Sequence, residues 1–146
     1  MVTLFDTSAL VATLVGNYPQ STWADAQVQA AQERGPVAVC AHTLAEAYAV
    51  MTAHPKLRYP PARVVEVLSD LTGHWTVLPL GEADYLEAMT RCRDLGLQGG
   101  AVYDTLIAQA AVRAGVTGLV TLNAKHFVRL GDDAQRLVIA PDWNAP

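Results

Sequence analysis

The sequence predicts an α/β fold, an α/β/α sandwich whose central, mostly parallel sheet has four to five strands. Short apolar runs rich in Val, Leu and Ile alternate with longer segments whose apolar residues recur at helical spacing. Such alternation is typical of a parallel sheet with helices on both faces. The 146 residues contain no internal repeat, linker or low-complexity tract. We therefore expect a single domain that covers residues 1–146.

The first half of the chain contains two predicted strands and four predicted helices. Each strand is a short apolar run. Each helix begins at a hydroxyl residue or a proline, and most end at a glycine, which are the usual start and stop signals. The elements in order are strand 2–5, helix 8–15 capped by Ser8, helix 22–33 capped by Ser21, strand 37–41, helix 43–53 and helix 60–72.

The second half repeats the alternation. Acidic residues begin the fifth helix and Arg91 and Arg93 end it, a polarity that suits the helix dipole. The sixth helix has the clearest apolar periodicity, and Gly115 ends it. The elements in order are strand 75–80, helix 81–95, helix 101–114, strand 118–122, a short turn or helix 124–130 and strand 137–140.

Composition and charge exclude several classes of protein. Hydrophobic residues make up 51% of the chain and charged residues 16%, which argues against disorder. No run reaches the roughly 18–20 apolar residues that span a bilayer, and the start does not resemble a signal peptide. Cys40 and Cys92 lack metal-type spacing, so we expect reduced thiols in a cytoplasmic protein with no membrane partner. The net charge of −4 disfavours nonspecific nucleic-acid binding, but cations bound by carboxylates would neutralise part of it.

Four polar residues occupy positions that packing alone would not select. Asp6 follows the first strand, Asn123 follows the fourth, Glu46 lies in an otherwise apolar helix, and Asp104 lies early in the sixth helix. Ligands bind at the carboxyl edge of open α/β sheets, and a buried carboxylate without a partner is costly. Carboxylate and amide oxygens suit Mg²⁺ or Mn²⁺, which support chemistry at phosphate groups. The four residues are therefore candidates for a metal-dependent site that acts on phosphodiesters.

Each of these residues also has a structural interpretation. Asp6 can cap the following helix, Asp104 can favour the amino end of its own helix, and Asn123 can be a turn residue. Glu46 can be exposed. His42 and Glu46 have a spacing that can ligate a metal, although a partly exposed histidine at a helix start is common.

Several other residues carry weaker expectations. Lys125 and His126 can contact RNA phosphate or belong to a solvated loop. Arg91 and Arg93 are expected to face solvent. The side chains expected in the core are Trp23, Trp75 and Tyr48.

Four stretches of the sequence, taken together and in this order, carry a family resemblance. They are Val-Thr-Leu-Phe-Asp-Thr-Ser-Ala-Leu at 2–10, Thr-Leu-Ala-Glu-Ala-Tyr at 43–48, Val-Tyr-Asp-Thr-Leu-Ile-Ala-Gln-Ala-Ala at 102–111 and Leu-Val-Thr-Leu-Asn-Ala-Lys-His-Phe at 119–127. These stretches resemble the PIN-domain ribonucleases, and among them the toxins of VapBC-type toxin–antitoxin pairs. The order and length of the elements agree as well, so the resemblance covers nearly the whole chain.

The resemblance implies a PIN-like fold and a metal-dependent endoribonuclease. Asp6, Glu46 and Asp104 match the family's acids and would hold Mg²⁺ or Mn²⁺. The fourth position, often Asp in the family, is Asn123 here, which puts a second metal in doubt. The resemblance also implies a homodimer and a small inhibitory antitoxin. The supporting positions are Thr7, Ser8 and Thr121.

Two other functions compete with this interpretation. A haloacid-dehalogenase-type phosphatase also has an aspartate after its first strand, but it requires a second aspartate at the position of Ser8. A non-catalytic PIN-like binding module is compatible with Asn123 and the acidic net charge. The presence of all three acids argues against this second alternative.

Overall fold

The computed structural model describes residues 1–142 and contains a parallel sheet of five strands. The strands are β1 (Thr3–Phe5), β2 (Val37–Cys40), β3 (Thr76–Leu78), β4 (Gly118–Val120) and β5 (Val138–Ile139). Their order is β3-β2-β1-β4-β5, so the first strand of the chain lies at the centre of the sheet. The predicted α/β class and parallel sheet are confirmed.

Helices connect the strands and cover the sheet. The sixth has the predicted bounds and ends at Gly115, whose φ of 66° lies in the left-handed region that glycine adopts without strain. The helices are α1 (Thr7–Val15), α2 (Ser21–Arg34), α3 (Ala41–Ala53), α4 (Pro61–Thr72), α5 (Glu82–Leu95), α6 (Ala101–Ala114), α7 (Ala124–Val128) and α8 (Asp132–Gln135).

The sheet separates two hydrophobic cores because successive side chains of a strand point to opposite faces. Phe5 and Val120 are fully buried in the core that α1, α2, α3 and α4 cover. Leu4 and Leu119 are fully buried in the other core, which α6, α7 and α8 cover. Helices therefore lie on both faces, as the sandwich interpretation requires.

The strand register determines which residues meet at the carboxyl edge of the sheet. Phe5 is paired with Val39 on one side and with Val120 on the other. The residues that follow Phe5 and Val120 are Asp6 and Thr121, so both lie at this edge. The helices α1 and α3 begin directly after β1 and β2, which brings their first turns to the same edge.

Several local expectations were wrong. Ser8 is not the N-cap of α1; Asp6 is, as its structural interpretation predicted, because its carboxylate accepts the backbone N–H of Ala9. The four-residue helix α8 was not predicted. Tyr48 is 39% exposed rather than part of the core, whereas Trp75 is buried as expected.

Arg91 also differs from its expected solvent-facing role. Its guanidinium makes two hydrogen bonds with the carboxylate of Asp133, at 3.0 and 2.9 Å, and so fastens α5 to α8. Arg93 is exposed, as expected, and pairs with the adjacent Asp94. Cys40 and Cys92 are buried and free, in agreement with reduced thiols. Within residues 1–142, no helix combines the length and the apolar character that crossing a membrane requires.

Candidate active site

The carboxylate of Asp6 lies at the centre of the site and is held by hydrogen bonds to both of its oxygens. Oδ1 accepts the backbone N–H of Ala9 at 2.9 Å and the hydroxyl of Ser8 at 2.7 Å. Oδ2 accepts the hydroxyl of Thr121 at 2.6 Å. The side chain is 98% buried, so these donors replace the water that it has lost. Asp6 therefore caps a helix and also lies in the candidate site.

A second layer of hydrogen bonds joins the ends of β1 and β4. The hydroxyl of Ser8 accepts the backbone N–H of Leu122 at 3.0 Å, and the hydroxyl of Thr121 accepts that of Asn123 at 2.9 Å. Each hydroxyl donates to Asp6 and accepts from the chain that follows β4. Ser8 and Thr121 thus fix the orientation of the Asp6 carboxylate.

Glu46 projects from the middle of α3 and is only partly satisfied. Its Oε1 atom is buried and makes no hydrogen bond within the described part of the chain. Burial, together with the negative charges of Asp104 and Asp6, raises the pKa of this carboxyl from 4.5 to about 7, against the lowering effect of a hydrogen bond from Thr7. A buried carboxylate oxygen without a partner is unusual, and a bound cation would satisfy it.

Asp104 lies in the first turn of α6 and is less deeply buried than Asp6. Its Oδ2 is 3.4 Å from Nδ1 of His126, and the two side chains are 25% and 39% exposed, respectively. Burial raises the pKa of the Asp104 carboxyl, while the positive charges of His126 and Arg129 act in the opposite direction. His126 is therefore placed against an acidic residue of the candidate site, and its contact with RNA stays a prediction.

Burial also raises the pKa of Asp6, from 3.8 to about 6, against the effect of its hydrogen bonds with Thr121, Ala9 and Ser8. Asp6, Glu46 and Asp104 thus hold protons more tightly than exposed acids do. Their mutual repulsion contributes, because the charge of Asp104 raises the pKa of both other carboxyls. The arrangement is one that a cation would relieve.

One cavity of about 770 Å³ collects the predicted residues. Such a volume lies within the range of ligand pockets, about 300–1,000 Å³. Thr121 lies behind Asp6, and Lys125 is exposed on α7 outside the lining. The predicted residues that line the cavity are Asp6, Thr7, Ser8, Glu46, Asp104 and Asn123.

The donor set of this cavity suits a hard cation. Within residues 1–142, no three His, Cys, Asp or Glu side chains lie close enough together to ligate one ion directly. Mg²⁺ does not require such a cage, because it keeps several waters and is commonly bound through one or two carboxylates. The free Oε1 of Glu46 and the carboxylate oxygens of Asp6 and Asp104 therefore fit this mode of binding.

Two residues of the cavity were missed from the sequence. His54 and Lys56 line its wall, and the charge of Lys56 is opposite to that of the acids. The sequence predicts only a loop over residues 54–59, and a loop carries no periodicity that would single out either side chain. The available signal was their position directly after the helix that carries Glu46. His42, by contrast, stacks on Tyr103 with ring centroids 5.1 Å apart and is not among the lining residues.

The structure thus places an acidic cavity at the carboxyl edge of a parallel α/β/α sheet. The sequence model of the PIN domain family matches residues 3–133, and the chain belongs to that family.

Among its relatives is Ribonuclease VapC27 of Mycobacterium tuberculosis, to which it is 33% identical over 107 residues, 73% of this chain and 74% of the relative. The fold is similar to that in the crystal structure of VapBC2 from Rickettsia felis bound to a DNA fragment from its promoter. The TM-score is 0.71 and the identity 19%, over 97% of this chain and all of that one. A similar match, with a TM-score of 0.67 and 20% identity over 99% of this chain and all of the other, is to VapBC-1 from nontypeable Haemophilus influenzae.

Proposed function

We propose that this protein is a Mg²⁺- or Mn²⁺-dependent endoribonuclease and the toxin of a type II toxin–antitoxin pair. The observation that carries the proposal is a single cavity lined by Asp6, Glu46 and Asp104, in which burial raises the pKa of every carboxyl. Membership in the PIN family and the 33% identity to Ribonuclease VapC27 support RNA as the substrate. The same membership leaves the phosphatase alternative without support.

The three acids would hold the cation, and each has a different part. Asp6 is rigid, because Ser8, Ala9 and Thr121 fix both of its oxygens, so it orients the site. Glu46 offers the free Oε1 atom, which has a lone pair available without breaking an existing hydrogen bond.

Asp104 and Asn123 complete the proposed site at its more open side. Asp104 is partly exposed, and Asn123 is exposed where the chain leaves β4, so both can contact a substrate that enters from solvent. Asn123 contributes an amide oxygen but no negative charge, which favours one cation over two.

When bound, a divalent cation would supply Lewis acidity for attack by water at phosphorus. The carboxyl groups of the chain determine how many protons the site holds at a given pH. With pKa values of about 6 and 7, Asp6 and Glu46 retain some protons near neutral pH, and cation binding should release them. We therefore expect metal affinity and cleavage to rise with pH between about 6 and 8.

Cleavage of a mixed cellular RNA pool tests the proposal. The wild type, Asp6→Asn and Asp104→Asn are each incubated with Mg²⁺, Mn²⁺ or EDTA. Discrete fragments should require the metal and both aspartates. Asp132→Asn is the matched control, because it removes an exposed first-turn aspartate that does not line the cavity. Undiminished cleavage by Asp104→Asn would contradict the assignment. Metal binding without cleavage of any pool would favour the non-catalytic binding module.

We also propose that a small antitoxin inhibits the enzyme. The similar structures are of VapBC pairs, and a basic side chain placed among these acids would compete with the cation for the carboxylates. Purification from the native host followed by mass spectrometry should find a small second chain. Its removal should raise cleavage, and unchanged activity after removal would contradict an inhibitory role.

The proposed homodimer has a candidate surface on α5. Leu86 and Met89 are 52% and 48% exposed there, and their spacing of three residues places both on one face of the helix. A second copy of the chain would cover them. Light scattering should give twice the chain mass for the wild type and the single mass for Leu86→Asp. A monomeric wild type would contradict the dimer.

A further inference from the structure

One wall of the cavity carries a positive charge and has no part in the chemistry described so far. His54 and Lys56 line it together with the acids. Within residues 1–142, Lys56 is the one lysine or arginine among the lining residues. A chain with a net charge of −4 and an acidic cavity would repel a polyanion, so a positive charge at this position needs an explanation.

Backbone hydrogen bonds hold the loop that carries these two residues. The N–H of His54 donates to Val50 at 2.9 Å, which ends α3, and the N–H of Tyr59 returns to Met51 at 2.9 Å. The N–H of Lys56 donates to Nδ1 of the His54 ring at 3.2 Å. Because Nδ1 accepts, the proton of the neutral imidazole is on Nε2, which leaves an N–H donor on the ring. The wall therefore presents an ammonium group and a ring donor on a fixed turn.

The wall and Glu46 lie at different points along the cavity. His54, the C-cap of α3, follows Glu46 by eight residues, a backbone rise of about 12 Å along the helix axis. Phosphates are spaced along a strand, so a strand whose cleaved phosphate lies at the acids would bring a neighbouring phosphate toward the loop.

We propose that His54 and Lys56 form a subsite that binds the backbone of the RNA strand at a phosphate beside the one that is cleaved. The inference rests on the proposed function, since it takes RNA as the ligand. Phosphate contacts of this kind position the strand without reading its sequence. The subsite would place the scissile phosphate against Asp6, Glu46 and Asp104 and hold it against their repulsion.

Binding without cleavage tests the subsite. The probe is a short fluorescein-labelled single strand of 2′-O-methyl uridine, and fluorescence anisotropy gives Kd in EDTA between about 50 and 200 mM salt. Loss of one phosphate contact on a single strand should reduce the slope of log K against log salt by about 0.7 for Lys56→Ala. Kd should rise on the order of fivefold at the lowest salt, as for a partly exposed ionic contact. His54→Ala should weaken binding and change the salt slope less.

Two variants serve as controls. Arg34→Ala removes a positive charge at the end of α2, is exposed and does not line the cavity, so its slope should equal that of the wild type. Lys56→Arg should restore most of the affinity. Equal slopes for Lys56→Ala and Arg34→Ala would overturn the subsite, whatever the cleavage assay gives. A change specific to Lys56→Ala would support it even in a protein that cleaves none of the RNA pool.

Discussion

Replacing Asp6 with asparagine should remove a pH dependence of folding that this one carboxyl creates. Burial raises the pKa of Asp6 from 3.8 to about 6. Each pH unit between the unfolded and folded values corresponds to about 1.4 kcal/mol, so the difference is worth about 3 kcal/mol. This is a sizeable part of the roughly 5–15 kcal/mol by which a domain of this size is stable.

The sign follows from where the proton is held more tightly. The folded protein keeps the proton on Asp6 up to about pH 6, whereas the unfolded chain loses it near pH 4. The contribution is therefore fully present below about pH 4 and is lost as pH rises through about 6. The asparagine mimics the protonated acid, since its amide oxygen can accept from Ser8 and Ala9 while its NH₂ group faces Thr121.

Urea denaturation in EDTA, from pH 4 to pH 8, measures the effect. The free energy of unfolding of the wild type minus that of Asp6→Asn should fall by about 2.4 kcal/mol across this range, because the unfolded carboxyl is already partly ionised at pH 4. The difference cancels groups that titrate alike in both proteins, such as Asp84, whose pKa a backbone hydrogen bond from Gly81 lowers. At pH 8, added Mg²⁺ should raise the free energy of unfolding of the wild type and leave that of Asp6→Asn unchanged. A difference in the free energy of unfolding that does not change with pH would refute the raised pKa of Asp6.

Three further substitutions test contacts outside this titration. Thr121→Val removes a hydrogen-bond donor from the buried Asp6 carboxylate, so the free energy of unfolding in urea at pH 7.5 should fall by about 1–3 kcal/mol. A loss below about 0.5 kcal/mol would contradict a hydrogen bond between Thr121 and Asp6. Arg91→Ala breaks a bidentate, partly buried pair with Asp133 and should lower the free energy of unfolding by about 1 kcal/mol. Replacing the exposed Arg93 with alanine should change it by less than about 0.5 kcal/mol, and equal losses for the two variants would contradict a stabilising role of the Arg91 pair. Gly35→Ala would place a Cβ against the backbone oxygen of Met1 at a φ of 156°, so we expect a Tm several degrees lower. An unchanged Tm would contradict that contact.

The sequence predicted the fold well because its signals are local. The bounds of α6 were correct because apolar periodicity and a terminal glycine act together within fourteen residues. The helix α8 was missed because four residues are too few to show a period. Arg91 was misjudged for the same reason, since its partner Asp133 is 42 residues away in that unpredicted helix.

The site was predictable only in part. Asp6, Glu46 and Asp104 stood out because carboxylates in apolar surroundings are costly, and the structure brings all of them to one cavity. Their roles in catalysis stay predictions. His54 and Lys56 could not be identified because a loop has no pattern that predicts which way its side chains face. The exposure of Tyr48 was missed because a helix that is apolar nearly all round does not reveal its outer face.

Because β1 pairs with β4, the site can form only after β4 has been synthesised. Asp6 and Thr121 are 115 residues apart, although they share a hydrogen bond. Closing so long a loop requires most of the chain to be in place, and contacts of this sequence separation form late and slowly. Synthesis proceeds from the amino end, so a ribosome-bound chain has its first acid long before the threonine that orients it. The proposed nuclease therefore cannot complete its site until the chain as far as Thr121 has left the ribosome that makes it.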